Sequence, residues 1–184
     1  MNTLLARVAG GIGLVSAALS TMTSAQATRA ESEATFPRAT STAQNIVGTW
    51  RLLSVSEEVD GRTTESPVYG SHPVGYLMYD TIGHVCAQLI NADRPMWKDG
   101  DVPTPEEARS AFNGFGGYCG RYEVHATEGY VLHFPEADIV PNEIGHALKR
   151  SFTLRGDQLV LQAIERRATD GRLTKKNIVW ERVR

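Results

Sequence analysis

The sequence predicts a mainly β domain, either an antiparallel barrel or a sandwich, with about eight strands and one short helix. Short apolar or alternating runs follow one another along the chain, and turn signals such as Asp60-Gly61 and Asp170-Gly171 separate them. This spacing is typical of antiparallel all-β domains. The chain has 184 residues, of which 41% are hydrophobic and 22% charged, as in an ordinary globular protein.

Residues 1–27 have the pattern of a secretory signal peptide. A single charged residue, Arg7, precedes an apolar run from Val8 to Leu19, and small residues stand at Ala25 and Ala27. A positive charge, a short apolar core and small residues before the cleavage point are the parts of such a signal. The competing interpretation is a buried N-terminal helix, which the three glycines of the run disfavour. We expect cleavage after Ala27 and an exported protein, periplasmic or secreted.

Residues 28–44 are expected to form a disordered tether. They are rich in Ser, Thr and Ala, and Phe36 is their only large apolar residue. Such a segment cannot bury enough apolar surface to offset the entropy lost on ordering. The folded domain is therefore expected to cover residues 45–184, which is long enough for one closed core.

Eight runs are expected to be strands, and three pairs of them to be hairpins. The hairpin turns are Asp80-Thr81-Ile82-Gly83, Ala126-Thr127-Glu128 and Arg155-Gly156-Asp157-Gln158, which are polar or glycine-containing as tight turns require. In chain order the strands are Ile46–Val59, Val74–Tyr79, His84–Ile90, Tyr118–His125, Gly129–Phe134, Ala147–Leu154, Leu159–Ile164 and Leu173–Val183.

One short helix is expected between the third and fourth strands, at Pro103–Asn113. Thr104 can cap its start, Pro105 suits the first helical position, and Glu106-Glu107 complement the positive end of the helix dipole. The glycines at positions 114, 116 and 117 are expected to end it.

Several short motifs resemble one known family. Gly48-Thr49-Trp50 and the final Trp180-Glu181-Arg182 resemble the corresponding parts of lipocalin and calycin barrels. A longer series resembles the lipocalin-like domain family of bacteria and fungi: GTWRL (Gly48–Leu52), PVGYLMY (Pro73–Tyr79), AQL (Ala87–Leu89), DRP (Asp93–Pro95), GRYEV (Gly120–Val124), His133 and WER (Trp180–Arg182). The resemblance implies a small calycin-type β-barrel, but it implies little about function, because one fold serves many functions.

The resemblance also implies how the barrel is closed. In calycin barrels a Trp at the floor packs under an Arg from the last strand, and here these residues are Trp50 and Arg182. The alternative is a buried Trp50 beside an Arg182 that lies in solvent.

The barrel interior is the expected ligand site, because a ring of eight strands has room for side chains or for one small molecule. On Tyr118–His125, alternation turns Tyr118 and Tyr122 inward and Arg121 outward. If the family places Arg121 inward, it becomes an anchor for a carboxylate or enolate. The expected ligand-binding residues, for part of which plain core packing is the alternative, are Tyr76, Met78, Tyr118, Tyr122, Phe134, His133 and Trp97.

Three residues are candidates for catalysis: His133, Arg121 and Tyr122. His133 stands alone on an apolar strand, where a hydrogen-bonded core histidine is the alternative to a proton donor. Trp97, in the loop after the third strand, either covers the mouth of the cavity or packs on the helix. The histidines have no regular spacing with carboxylates or thiols, so neither a metal site nor a cofactor is predicted.

Cys86 and Cys119 are the only cysteines. Export would place them in an oxidising compartment, where they form a disulfide if their strands adjoin. Otherwise both are small buried residues.

The charge balance and the motifs limit the classes of function that we expect for this chain. Lys and Arg number 19 against 21 for Asp and Glu, so the chain lacks the basic excess that nucleic acid or an anionic membrane requires. No apolar run is long enough to span a bilayer. We expect a monomer or homodimer that binds a small, largely apolar molecule. The alternatives are an isomerase, cyclase or hydratase acting on a lipophilic metabolite, and a structural barrel whose loops bind another protein.

Overall fold

The computed structural model describes residues 45–166 and 170–184. The signal peptide expected at residues 1–27 and the tether expected at 28–44 lie outside the described residues. The described residues form strands β1 (Gly48–Val59), β2 (Arg62–Glu65), β3 (Pro73–Tyr79), β4 (His84–Asn91), β5 (Phe115–His125), β6 (Tyr130–Asp138), β7 (Leu148–Arg155), β8 (Gln158–Arg166) and β9 (Leu173–Arg182), helix α1 (Pro105–Asn113) and a 3₁₀ turn (Pro141–Glu143).

The strands form a closed antiparallel barrel, which confirms the predicted fold class. The sheet order is β2-β1-β3-β4-β5-β6-β7-β8-β9, and β1 also pairs with β9. Strand β2 pairs only with the far end of β1, so the ring itself has eight strands. Closure removes the exposed edges that an open sheet would leave.

The main differences from the predicted strands are an additional strand, an earlier start of β5 and a later end of β6, at Asp138 instead of Phe134. Strand β2 was not predicted, because Arg62–Glu65 contains no apolar residue and all four residues are exposed. Strand β5 begins at Phe115 rather than at Tyr118, although glycines occupy positions 116 and 117. These glycines pair with Leu89 and Gln88 of β4, so backbone hydrogen bonds to a neighbouring strand outweigh their weak preference for strands.

Alternation along the strands selects the interior side chains. On β3, every second residue from Pro73 to Tyr79 is buried and the residues between them are exposed, because successive side chains point to opposite faces of a sheet. The resulting core contains Ile46, Trp50, Leu52, Val55, Leu77, Tyr79, Val85, Ala87, Leu89, Val131, Leu159, Leu161 and Trp180.

Trp50 and Arg182 close one end of the barrel. The Arg182 guanidinium carbon lies 4.1 Å from the centre of the Trp50 ring, and Arg182 Nη1 donates a hydrogen bond to the Val47 carbonyl at 2.8 Å. Trp50 Nε1 donates to the carbonyl of Ile46, also at 2.8 Å. The backbone of Gly48 has φ +133°, and a Cβ there would lie 2.8 Å from Arg182 Nη1, so a glycine is required beside the guanidinium.

Helix α1 lies in the connection between β4 and β5. Thr104 and Glu107 form a capping box, in which each side chain accepts a hydrogen bond from the other's backbone N–H, and this fixes the start of the helix. Near the other end, Arg94 Nη1 donates to the carbonyl of Ala111 at 3.1 Å.

A disulfide joins Cys86 and Cys119. The two residues are directly paired across β4 and β5, with their Cα atoms 4.1 Å apart. Their neighbours Val85, Ala87 and Gly120 are buried. Alternation therefore places the disulfide on the outer face of the barrel.

Candidate ligand-binding site

A cavity of about 220 Å³ lies inside the barrel. Its lining includes the end of β6 and the start of β7, together with the 3₁₀ turn that connects them. Trp50, at the start of β1, is at the other end of the barrel. The cavity therefore extends from the middle of the barrel to the rim opposite the Trp50–Arg182 pair.

The deep part of the cavity is apolar. Ala87 is buried there, and Ala163, which is paired with Lys176, is buried nearer the rim. The small side chains of both leave room that a larger residue would fill. The other residues of this deep wall are Val55, Leu77, Leu89, Leu161 and Trp180.

The rim of the cavity is ionic. It carries three acids and two bases, namely Asp138, Glu143, Glu165, Arg150 and Lys176. Lys176 Nζ lies 2.7 Å from Glu165 Oε2, whereas Arg150 Nη2 lies 3.9 Å from the other oxygen of that carboxylate. Burial raises the pKa of Glu143 above its ordinary value, and the Asp138 carboxylate acts in the same direction. Bases do not outnumber acids at the rim.

A buried tyrosine–histidine–tyrosine chain adjoins the cavity. Tyr118 lines the cavity, and its hydroxyl lies 2.5 Å from His133 Nδ1. On the other side of the ring, the Tyr79 hydroxyl lies 2.7 Å from His133 Nε2. Because a neutral imidazole has one N–H and one acceptor nitrogen, one tyrosine donates to the ring and the other accepts from it.

Burial keeps this chain neutral. It lowers the pKa of His133 to about 3, and the positive charge of Arg150 acts in the same direction. Burial also raises the pKa of Tyr118 to about 12 and that of Tyr79 well above its ordinary value. At neutral pH the chain therefore presents one uncharged hydroxyl to the cavity, that of Tyr118.

Comparison with known families agrees with this geometry. A model of the lipocalin-like domain family matches residues 47–183, which include every strand of the barrel. The chain belongs to the lipocalin-like domain family. No curated protein matches its sequence.

The lipocalin-like barrel brings only part of the predicted ligand-binding set to the cavity. Tyr118 lines it, while His133 has no exposed surface and lies behind Tyr118. Tyr122 packs against the core but turns away from the cavity, since its hydroxyl donates to the Asp80 carbonyl at 2.7 Å. Of the three catalytic candidates, His133 is the one whose side-chain hydrogen bonds, within the described residues, include a cavity-lining residue, Tyr118.

Four of the predicted residues lie on the outer face of the barrel instead. Tyr76 and Met78 are 50% and 44% exposed, because the alternation on β3 turns Leu77 and Tyr79 inward. Phe134 and Arg121 lie together on the outside, with the guanidinium carbon 6.0 Å from the ring centre, and Arg121 Nε donates to Glu136 at 2.8 Å. The expectation that Tyr76, Met78 and Phe134 line the interior is therefore wrong, and Arg121 is no anchor for a ligand inside it.

Trp97 lies in a second, external groove of the lipocalin-like domain. The groove has a volume of about 680 Å³ and is lined by the β4–β5 connection, the outer face of the barrel at Val74 and Ile90, and Ala111 of α1. Trp97 does not line the interior cavity. It therefore forms no part of the apolar walls of that cavity.

The charged residues of the rim were not predicted from the sequence. On β7, Arg150 lies on the same face as Leu148, Phe152 and Leu154. These residues are all less exposed than the residues between them. On β9, Lys176 likewise shares a face with Ile178 and Trp180. A charged residue in register with the apolar face of a strand was the available signal, and it indicates a polar group at the end of a cavity.

Two further observations apply only to residues 45–166 and 170–184. They contain no group of three or more His, Cys, Asp or Glu side chains that could hold a metal ion. None of their helices is both long enough and apolar enough to cross a membrane.

Proposed function

We propose that this lipocalin-like protein is exported and binds a small, largely apolar molecule inside its barrel. The observation that carries the binding proposal is the 220 Å³ cavity, whose deep walls are apolar. Export is supported by the signal pattern of residues 1–27. A cavity in the interior of a closed barrel is a common place for a small ligand.

The volume limits the size of the ligand. Pockets for drug-sized molecules occupy about 300–1,000 Å³, so a cavity of 220 Å³ suits a single ring or a short chain. Burial of about 200 Å² of apolar ligand surface contributes about 5 kcal/mol at 25 cal/mol per Å². The loss of translational and rotational freedom offsets part of this gain. We therefore expect affinities weaker than micromolar for purely apolar ligands.

The test is a titration with toluene, monitored by ligand-observed NMR. Ala163→Phe fills the cavity, and we expect it to abolish binding. Ala137→Phe is the matched control, because Ala137 is exposed on the outer face of β6, and it should bind toluene as the wild type does. Circular dichroism would verify that both variants fold. Absence of toluene binding by the wild type, or equal binding by Ala163→Phe, would contradict the proposal.

Catalysis is a second candidate, which the Tyr118–His133 hydrogen bond favours. A buried hydroxyl held by a histidine at the wall of an apolar cavity is a group that can give a proton to a bound molecule. The reaction would be an isomerisation, such as the conversion of 3-cyclohexenone to 2-cyclohexenone. The Asp138 carboxylate, which lines the cavity, would take the proton from the α carbon and return it to the γ carbon, while the Tyr118 hydroxyl donates a hydrogen bond to the carbonyl oxygen. Conversion catalysed by the wild type and lost in Tyr118→Phe would support it, whereas equal rates with and without protein would exclude this reaction.

A further inference from the structure

One buried indole in the barrel has no hydrogen-bond acceptor within residues 45–166 and 170–184. Trp180 is 1% exposed, and among the described residues no atom accepts a hydrogen bond from its Nε1. An indole N–H can only donate, and buried donors are rarely left without a partner. Trp180 also lines the interior cavity.

The other buried tryptophan gives a direct comparison. Trp50 has no exposed surface, and its Nε1 donates to the Ile46 carbonyl at 2.8 Å. The part of the chain that the structure describes therefore supplies an acceptor to the indole that closes the barrel and none to the indole that lines the cavity. This difference indicates that the partner of Trp180 comes from the contents of the cavity.

An unpaired acceptor lies at the rim of the same cavity. Asp138 Oδ1 accepts a hydrogen bond from the backbone N–H of Val140 at 2.7 Å. Asp138 Oδ2 is buried, and the described residues offer it no donor. Because Asp138 lines the cavity, a donor on a bound molecule could reach this oxygen.

The charges of the rim disfavour an anionic ligand. Asp138, Glu143 and Glu165 face the cavity together with only two cations, Arg150 and Lys176. Lys176 is already paired with Glu165 at 2.7 Å. A ligand carboxylate would therefore meet no excess of positive charge, and it would be repelled by Asp138.

We infer that the ligand is a small neutral carbonyl compound that also carries a hydroxyl or N–H group. Its carbonyl oxygen accepts the hydrogen bond of Trp180 Nε1 in the deep part of the cavity, and its donor reaches Asp138 Oδ2 at the rim. The inference rests on the proposed binding function and adds the polar pattern of the ligand. It differs from a fatty-acid type of ligand, which would bring a charged head group to the rim.

The first experiment compares cyclohexanone with methylenecyclohexane, which has nearly the same shape but no carbonyl oxygen. We expect the wild type to bind the ketone about threefold to tenfold more tightly, the range for one neutral hydrogen bond. Trp180→Phe should remove this preference and retain the affinity for the hydrocarbon. Trp97→Phe is the matched control, because Trp97 lies outside the cavity, and it should keep the preference.

A measurement on the wild type alone covers the case in which Trp180→Phe fails to fold. The chain has three tryptophans, so its NMR spectrum contains three indole N–H signals. We expect cyclohexanone, but not methylenecyclohexane, to shift one of these signals, and Trp97→Phe should leave that signal in place.

The second experiment tests the rim. We expect 4-hydroxycyclohexanone, whose hydroxyl lies across the ring from its carbonyl, to bind the wild type more tightly than cyclohexanone, and Asp138→Asn to remove the gain. The asparagine keeps Oδ1 for the Val140 N–H and replaces the unpaired acceptor oxygen by a donor.

The outcomes separate this inference from the proposed function. If toluene binds and the ketone binds no better than the hydrocarbon, the inference is wrong and the apolar binding site stands. If the carbonyl preference persists in a folded Trp180→Phe variant, the assignment of the donor is wrong. If neither toluene nor either six-membered probe binds, both the inference and the proposed function are wrong.

Discussion

The guanidinium of Arg182 lies over the ring of Trp50, 4.1 Å from its centre, and joins the last strand of the barrel to the first. Arg182 and Trp50 are also paired residues on β9 and β1. Side-chain stacking and backbone pairing therefore act at the same point, where the ring of strands closes.

We expect Trp50→Ala to destabilise the protein by about 3–5 kcal/mol, as for other buried aromatic residues replaced by alanine. The lower stability has two causes, a cavity at the closed end of the barrel and the absence of the contact to Arg182. Urea unfolding followed by circular dichroism would measure it. Trp97→Ala is the control, because Trp97 is 41% exposed, and it should cost less than about 1 kcal/mol. Unfolding curves of Trp50→Ala that overlay those of the wild type would contradict the role of this pair.

Removal of the Cys86–Cys119 disulfide should leave the fold intact but less stable. The cysteines are separated by 33 residues, and a cross-link over a loop of this length contributes about 2–4 kcal/mol by restricting the unfolded chain. Cys86→Ser combined with Cys119→Ser should therefore lower the unfolding free energy by that amount. Mass spectrometry would verify the bond as a loss of about 2 Da relative to the reduced wild type. If reduction leaves the unfolding midpoint of the wild type unchanged, this prediction fails.

His133 should make the protein sensitive to acid. Its pKa is lowered from 6.5 to about 3 in the folded protein, so between these values the unfolded chain binds a proton that the folded chain does not. The stability that the neutral ring contributes is complete above pH 6.5 and is lost as the pH falls toward 3. The expected slope is about 1.4 kcal/mol per pH unit in this interval.

The measurement compares unfolding free energies at several pH values between 4 and 7. His133→Gln should have a shallower dependence than the wild type, because carboxylates titrate in both proteins and cancel in the comparison. His72→Gln is the control, since its ring is exposed to solvent, and it should keep the slope of the wild type. Identical slopes for His133→Gln and the wild type would show that His133 is not responsible.

Gly48→Ala should destabilise the closed end of the barrel by about 1–3 kcal/mol, the range for a residue held in a disfavoured backbone conformation. Two causes act together, the positive φ and the approach of the new Cβ to Arg182 Nη1. Gly129→Ala is the comparison, because Gly129 has open space around it and a φ of +73°, close to the left-handed region that alanine can adopt. We expect Gly129→Ala to be the milder of the two in thermal unfolding, and the reverse order would contradict the contact with Arg182.

Local patterns were sufficient to predict an antiparallel barrel or sandwich, because turn signals and strand lengths depend on neighbouring residues. The choice of the barrel came from the resemblance to the lipocalin-like family. Which residues of β3 point into the barrel was not predictable in the same way. The residues from Val74 to Tyr79 are apolar or aromatic on both faces of the strand, so alternation alone does not identify the inner one. Phe134 was misplaced for a different reason, since its size suggested burial although His133 occupies the inward position.

The polar part of the site depends on contacts between residues that are far apart in the sequence. Asp138 and Arg150 both reach the rim, on strands that are neighbours in the barrel. Trp180 reaches the same cavity from the last strand, where its motif had been interpreted only as part of the closing end. That its N–H lacks an acceptor depends on every side chain around it, and no sequence pattern reports this.

The disulfide between Cys86 and Cys119 closes a covalent ring of the chain, which contains helix α1 and the loop with Lys98. A protease that cuts the chain once within this ring would leave the two fragments joined by the disulfide. Strands β4 and β5 would then stay side by side. The external connection can therefore be cut without loss of any strand of the barrel, and in denaturant the fragments separate only after reduction.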